Sequence, residues 1–328
     1  MNERDGHQSA PRVFAAGGAH VDRRGRASHS FVLGASNPGA MGETAGGAVF
    51  NAARALRRLG AAITLVSARG GDRDGETVRD ALAALDLGDG ALTWLDRRTP
   101  SYTAILDEHG DLVAGLADMA LYDLMQPRVF RRRHIREAIA ASEALLIDAN
   151  LPVATIEHLT EAAGGRSVMA IGVSPAKVGR LATALPRLDA LFLSRAEAVG
   201  LTGLAENAAI ESVTTALAAA GCRRAVVTDG PRGAAILEAG TLVRQEPVAL
   251  SALRDVTGAG DTLAGVACFA LLTGRSFRDA ARLGMAAASL HVAAERGEDG
   301  ADLAEIAATA ARMPTARSLP IFQPSETP

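Results

Sequence analysis

Short apolar runs alternate along this chain with longer stretches in which apolar positions recur at helical spacing. Arg12–Gly17, Ile63–Ser67, Ala144–Asp148, Ser167–Gly172, Ala190–Leu193 and Ala225–Thr228 predict strands that are apolar along most of their length. A strand without a polar face is buried on both sides, as in a parallel sheet between helical layers. Helical patterns follow most of these runs, for example Ala48–Leu59 closed by Gly60 and Glu206–Ala220 closed by Gly221. Strand and helix in alternation predict an α/β fold with a mainly parallel central sheet covered on both faces.

Two regions break the rhythm. Ser28–Ala40 and Ala91–Ala117 read as loops and alternating strands, and in the second Tyr102–Asp107 and Leu112–Leu116 flank a Glu108-His109-Gly110 turn. Strands that leave a βα rhythm usually leave the main sheet, so lid segments are expected at about 20–40 and 91–117. The main domain is expected over 12–312, with loose tails at 1–11 and 313–328, the latter rich in Pro and Ser.

Composition narrows the function classes. With 328 residues, 48% of them hydrophobic, the chain can bury a large core. A formal net charge of −3 gives no global attraction to nucleic acid or anionic membrane. Cys222 and Cys268 are too few for a disulfide framework, and the seven histidines show no metal-binding spacing. The longest apolar stretch, Leu263–Leu272, is well short of a membrane span, and Met1–Pro11 lacks the apolar core of a signal peptide. A soluble, cytoplasmic protein is expected.

The most informative chemistry lies in Asp255-Val256-Thr257-Gly258-Ala259-Gly260-Asp261, which leads into an apolar helical pattern. A Gly-Ala-Gly turn at a helix start leaves backbone N–H groups unobstructed, and the helix dipole favours anionic oxygens there. Asp261 beside that cradle is an odd phosphate ligand but is well placed to take a proton from an attacking hydroxyl. An anion cradle touching a carboxylate base suggests phosphoryl transfer to an alcohol.

Gly46-Gly47-Ala48-Val49-Phe50-Asn51 places paired glycines before a helix and an amide one turn inside it. Such glycines admit close backbone approach to a ligand, and Asn51 would present its amide to a sugar hydroxyl. Gly17-Gly18-Ala19-His20-Val21-Asp22 puts a carboxylate just past the first strand, at the edge where open α/β sheets bind ligands. Asp22 would accept hydrogen bonds from two vicinal hydroxyls.

Other classes fail on spacing. A P-loop needs Gly-x-x-x-x-Gly-Lys-Ser/Thr, and the sole lysine, Lys177, follows Ser174-Pro175-Ala176. A dinucleotide fold would want Gly-x-Gly-x-x-Gly after the first strand, which Gly17-Gly18-Ala19-His20 does not supply. Arg128–Arg136, with five arginines, reads as the solvated face of an amphipathic helix without an aromatic platform for bases.

Over about residues 12–312 the chain resembles the ribokinase-like sugar kinases, the PfkB family. One signature of that family is similar to Gly46-Gly47…Asn51 and another to Asp255…Asp261. The resemblance implies a three-layer α/β/α ribokinase-like domain with a small β-sheet lid, often used for homodimerisation. It implies Asp261 as catalytic base and Gly258, Ala259 and Gly260 as anion hole, with ATP and Mg²⁺ as cofactors. Asp22, Asn37, Gly46, Gly47, Asn51 and Tyr102 fall on the substrate side. Thr228, Gly230 and Gly233 resemble the nucleotide-binding strand and turn, and Glu197 the glutamate that organises Mg²⁺ through water. Asp255 and Thr257 lie near a monovalent-cation (K⁺) site in many members.

Within the family, Ser36-Asn37-Pro38-Gly39, Ser101-Tyr102, Ala117-Asp118-Met119, Asp148-Ala149-Asn150-Leu151 and Val173-Ser174-Pro175-Ala176-Lys177 resemble the pseudouridine-kinase branch. The expected reaction is ATP-dependent phosphorylation of a sugar or nucleoside hydroxyl, with pseudouridine the best single substrate. Ribose, adenosine, fructose and 2-keto-3-deoxygluconate are the alternatives, as is a catalytically impaired, ligand-sensing relative. Of the 34 lysines and arginines only Lys177 is a lysine. Its compact ammonium would suit ATP phosphates, or it is one surface cation among many. Departures from the pattern gather at the edges: Ser194 stands where asparagine is usual, Ile171-Gly172 where the branch favours Asp-Pro, and His20 where asparagine is frequent.

Overall fold

A computed structural model describes residues 10–250, 254, 256–294 and 300–319. The strands are β1 (Arg12–Ala16), β2 (His20–Ala27), β3 (Gly39–Gly46), β4 (Ala62–Val66), β5 (Ala68–Gly70), β6 (Gly88–Asp89), β7 (Leu92–Trp94), β8 (Ser101–Leu106) and β9 (Leu112–Asp118). They continue as β10 (Ala144–Asp148), β11 (Ser167–Ile171), β12 (Ala190–Ser194), β13 (Arg224–Thr228), β14 (Ala234–Glu238), β15 (Thr241–Gln245) and β16 (Arg317–Leu319). The helices are α1 (Ala48–Arg58), α2 (Arg73–Ala84), α3 (Pro127–Phe130), α4 (Arg133–Ala141), α5 (Val153–Ala162), α6 (Arg195–Thr202), α7 (Ile210–Ala219), α8 (Ala259–Leu272), α9 (Phe277–Ala293) and α10 (Leu303–Ala311).

The main sheet runs β16-β15-β14-β13-β12-β11-β10-β1-β4-β6, parallel from β13 through β6 and antiparallel beyond. Its central strands are buried on both faces because successive side chains enter different cores. Val13 and Ala15 join the core under α1, α8 and α9, whereas Phe14 and Ala16 join the core on the opposite face. The chain steps from β1 to β4 in one direction and from β10 outward to β13 in the other. The order therefore reverses between β1 and β10, and a crevice opens there at the carboxyl ends of the strands.

The lid is a separate sheet of order β3-β2-β8-β9. Arg23 on β2 ties it to the body through Asp74 on α2, at 2.5 Å. The two expected strands Tyr102–Asp107 and Leu112–Leu116 are β8 and β9, paired antiparallel. The helix expected from Glu206 starts at Ile210. Beyond Met313, where a loose tail was expected, β16 pairs with β15, and Arg282 binds the Met313 and Pro314 carbonyls. The extra strand caps the β15 edge of the sheet, which would otherwise present unpaired backbone groups. Among the described residues no helix is long and apolar enough to cross a membrane.

Candidate active site

Two helices meet at the crevice. α8 lies against α1 because Gly265 has no side chain: a Cβ there would sit 2.4 Å from the Ala52 carbonyl oxygen. That close approach aligns the first turns of both helices and brings Asn51 to Asp261 across 210 residues of sequence. The Asn51 Nδ2 donates to Asp261 Oδ2 at 2.9 Å.

Gly258 ends the preceding loop in the left-handed region, φ +79°, which a side chain adopts only under strain. Its Cβ position also lies 3.3 Å from Asn51 Nδ2, so a larger residue would crowd the Asn51–Asp261 pair. The Thr257 carbonyl accepts from His291 Nε2 at 2.8 Å, which pins the loop to α9. First-turn N–H groups of α8 have no intrahelical acceptor, and Gly258, Ala259 and Gly260, expected as the anion hole, stand at that helix start. The Ala259 N–H leans on the Val256 carbonyl at 3.3 Å, a long bond.

Burial pushes the Asp261 carboxyl up to about 7, against the Asn51 hydrogen bond that favours the charged form. The negative charges of Asp148, Glu197 and Asp22 push in the same direction as burial. A carboxylate poised near neutrality, beside an anion cradle, is equipped to take a proton from a hydroxyl.

Among the residues expected on the substrate side, Asp22 shares one face of β2 with His20, and His20 Nε2 stands 3.2 Å from Asp22 Oδ1. Gly46 lies beside Asp22, so its missing side chain makes room for the carboxylate. Gly47, at φ +114°, passes within a Cβ length of the Gly18 carbonyl, and so locks the start of α1 to the turn after β1. Asn37 sits in the lid loop with its amide engaged in its own turn, bonding Val32 N and O and the Ala35 carbonyl. Tyr102 on β8 lies across Gly115 of β9. Asn51, read as a sugar ligand, spends one amide hydrogen on Asp261.

Beneath the turn lies Asp148, fully buried at the end of β10. It accepts from the Gly18 N–H at 2.8 Å, the Asn150 N–H at 2.9 Å and Asn150 Nδ2 at 3.1 Å. Burial raises its pKa and these three donors oppose the rise. Lys177 Nζ donates to Asn150 Oδ1 at 2.7 Å, and burial lowers its pKa. The lysine is thus half-buried and held, unlike a solvated surface cation.

The residues expected at the nucleotide edge lie at the ends of β11, β12 and β13. Ser194 caps α6: its Oγ accepts from Glu197 N at 3.3 Å while Glu197 Oε2 accepts from Ser194 N at 2.7 Å. A Cβ on Gly172 would sit 2.6 Å from Glu197 Oε2, so the glutamate occupies the space that a bulkier residue at 172 would take. Burial raises the pKa of Glu197. Thr228 Oγ1 donates to the Leu193 carbonyl at 3.3 Å, and Asp229, clamped by Arg232, closes the turn Gly230–Gly233 through its N–H to the Gly233 carbonyl at 2.7 Å. Asp255 lies outside the described residues.

No cluster of three or more His, Cys, Asp or Glu able to hold a metal occurs among the described residues. Glu197 is a single carboxylate with one oxygen committed to its cap. That donor set fits Mg²⁺ carried by phosphates and water, and does not form a protein cage.

The sequence reading passed over Tyr122 and treated Asp148 and Asn150 only as likenesses. The available signal was Asp148 itself, a carboxylate ending an otherwise apolar strand at the ligand edge.

Residues 13–303 match the family model described as pfkB family carbohydrate kinase. The chain is 24% identical over 287 residues to pseudouridine kinase of Escherichia coli, covering 86% of this chain and 91% of that one. Among solved structures, a carbohydrate kinase from Agrobacterium tumefaciens is 40% identical, with TM-score 0.83 over 94% of this chain and 100% of that one. Arabidopsis thaliana ribokinase, complexed with ribose and ATP, shares the fold at 20% identity, with TM-score 0.78 over 92% and 99% of the two chains. The chain belongs to the PfkB family of carbohydrate kinases and is an ATP-dependent sugar or nucleoside kinase.

Proposed function

We propose that this kinase phosphorylates a nucleoside, with pseudouridine converted to pseudouridine 5′-phosphate as the best single assignment. The observation that carries the site assignment is Asp261, tied to Asn51, at the Gly258 turn with its carboxyl raised to about 7. The substrate assignment draws on the likeness to E. coli pseudouridine kinase together with the lid and edge segments.

The acceptor lies between Asp22, Asn37, Asn51 and the lid, with its primary hydroxyl at Asp261. As the hydroxyl oxygen bonds to the γ-phosphorus of ATP, the bond to the bridging oxygen of the leaving ADP breaks and the hydroxyl proton passes to Asp261. The N–H groups of Gly258, Ala259 and Gly260 hold the phosphoryl oxygens as charge shifts among them. Lys177, Thr228, Gly230 and Gly233 line the nucleotide. Glu197, held by the Ser194 capping box, would help hold Mg²⁺, which when bound would neutralise charge on the phosphates. Thr257 would contribute to holding K⁺. Closure of the lid excludes water and suppresses hydrolysis of ATP.

The lid is also the proposed dimer surface. Every residue of β9 is exposed, and Met41, Leu112, Val113 and Leu116 present large apolar side chains to solvent. A second copy covering them would also protect the β9 edge.

ADP release with MgATP and K⁺ against pseudouridine, uridine, adenosine, ribose, fructose and 2-keto-3-deoxygluconate, with products identified by mass, tests the reading. Selective conversion of pseudouridine is expected. Turnover of another acceptor instead would discard the substrate and keep the kinase. Binding of acceptor and ATP without turnover of any would make the chain a ligand-sensing relative.

A further inference from the structure

His20 is only 8% exposed, and both of its ring nitrogens are engaged. Nε2 lies 3.2 Å from Asp22 Oδ1, and Nδ1 lies 3.1 Å from the Tyr122 hydroxyl. Tyr122 is fully buried on the turn Ala120–Leu124, and burial holds its phenol well above the usual range, so it keeps its proton. A carboxylate only accepts, so the imidazole must place a hydrogen on Nε2. In the neutral ring Nδ1 is then bare and accepts the Tyr122 O–H, which fixes the tautomer from behind. The Tyr122 hydroxyl also meets the Ser67 side chain and the Ala19 backbone, so the opposite tautomer would leave Asp22 facing a bare nitrogen and require the phenol to turn its hydrogen to Ser67.

We propose that His20 and Tyr122 are positioning residues for acceptor recognition, holding Asp22 in the rotamer that receives two vicinal hydroxyls. Tyr122 O–H donates to His20 Nδ1, and His20 Nε2–H donates to Asp22 Oδ1. One carboxylate oxygen is thereby anchored, and Oδ2, lying beside Gly46 where no side chain intrudes, is left for the acceptor. The inference rests on the reading of Asp22 as the substrate carboxylate. Tyr122 also bears on the other half of the site, because Lys177 Nζ stands 5.9 Å from its ring centroid. Removing the hydroxyl alone leaves that ring contact in place, so the acceptor and nucleotide sides can be separated by experiment.

Histidine ¹⁵N spectra of the full-length protein, with the His20 signal assigned from His20→Asn, report the tautomer without any substrate. Nε2 protonated and Nδ1 bare, with the Nδ1 shift altered in Tyr122→Phe, is expected; a protonated Nδ1 in the neutral ring overturns the proposal. In kinetics, Tyr122→Phe should raise the acceptor KM by about 3- to 10-fold, the loss of one hydrogen bond in a chain, and leave the ATP KM within about twofold. In an Asp22→Asn background the same change should add less than about twofold. A lowered Tm with an unchanged acceptor KM would mark Tyr122 as a core residue only, and would overturn the proposal. If Asp22→Asn itself leaves the acceptor KM unchanged, the substrate reading of Asp22 falls and takes the proposed recognition role with it, whatever the tautomer.

Discussion

The junction of α1 with α8 and the lid sheet are built on opposite principles. At the junction, small residues let two helices close until Asn51 meets Asp261, and the helix bodies behind that pair are packed together. In the lid, β9 is exposed along its whole length, and Asn37 and Tyr102 rest on neighbours within the lid. The chemistry that all members of a kinase family share needs a rigid geometry, and the packed region provides it. In the proposed reaction the lid, exposed and less packed, takes the part of choosing the acceptor. Reaction class is therefore readable from the junction, whereas substrate identity is spread over residues that make few contacts with the body.

Breaking the junction should have the largest effect. Asp261→Asn keeps the size and the Asn51 neighbour but removes the base, so turnover should fall by about 10²–10⁴ while calorimetry finds ATP affinity within about threefold. Gly265→Leu should force α8 away from Ala52, costing about 1–3 kcal/mol by thermal or denaturant unfolding and most of the activity with it.

The contrast was already visible in the sequence, for physical reasons. β1, β10 and β13 announced themselves because both faces are buried and the runs are apolar throughout. β3, Gly-Ala-Met-Gly-Glu-Thr-Ala-Gly, carries no such signal, being glycine-rich and exposed except at its end. The β14–β15 hairpin was missed because its turn is Ala239-Gly240, with Ala239 at φ +46° where Asn or Asp is the usual residue. In the site, Asp261 and the glycine turn were legible as a local motif. The partnership of Asn51 with Asp261, and the placing of Tyr122 behind His20, depend on long-range packing that no local pattern encodes.

The lid should respond differently. Leu112→Glu with Leu116→Glu should leave the Tm within about 2 °C, since both residues are exposed in the single chain. Light scattering should then show a dimer converted to monomer. An unchanged oligomeric state would remove the lid as the dimer surface.

The smallest effect sharpens the comparison through stability. The folded pKa of Asp261 is raised from 3.8 to about 7, so ionising it disfavours the folded state. Its unfavourable contribution is absent below about pH 4, grows as pH rises, and is complete above about pH 7. Asp261→Asn should therefore raise the Tm at pH 8 by about 2–6 °C, by roughly a third as much at pH 5, and little at pH 4.

In the proposed reaction Asp261 is a base whose affinity for its proton is set by burial against the Asn51 hydrogen bond. The direct test is the pH dependence of kcat/KM, which reports the free enzyme, for wild type and Asn51→Ala. The wild-type profile should rise with pH through an inflection near 7, and loss of the Asn51 donor should move that inflection upward. A profile flat from about pH 5.5 to 8.5, or an inflection that stays in place when Asn51 is removed, would contradict the account.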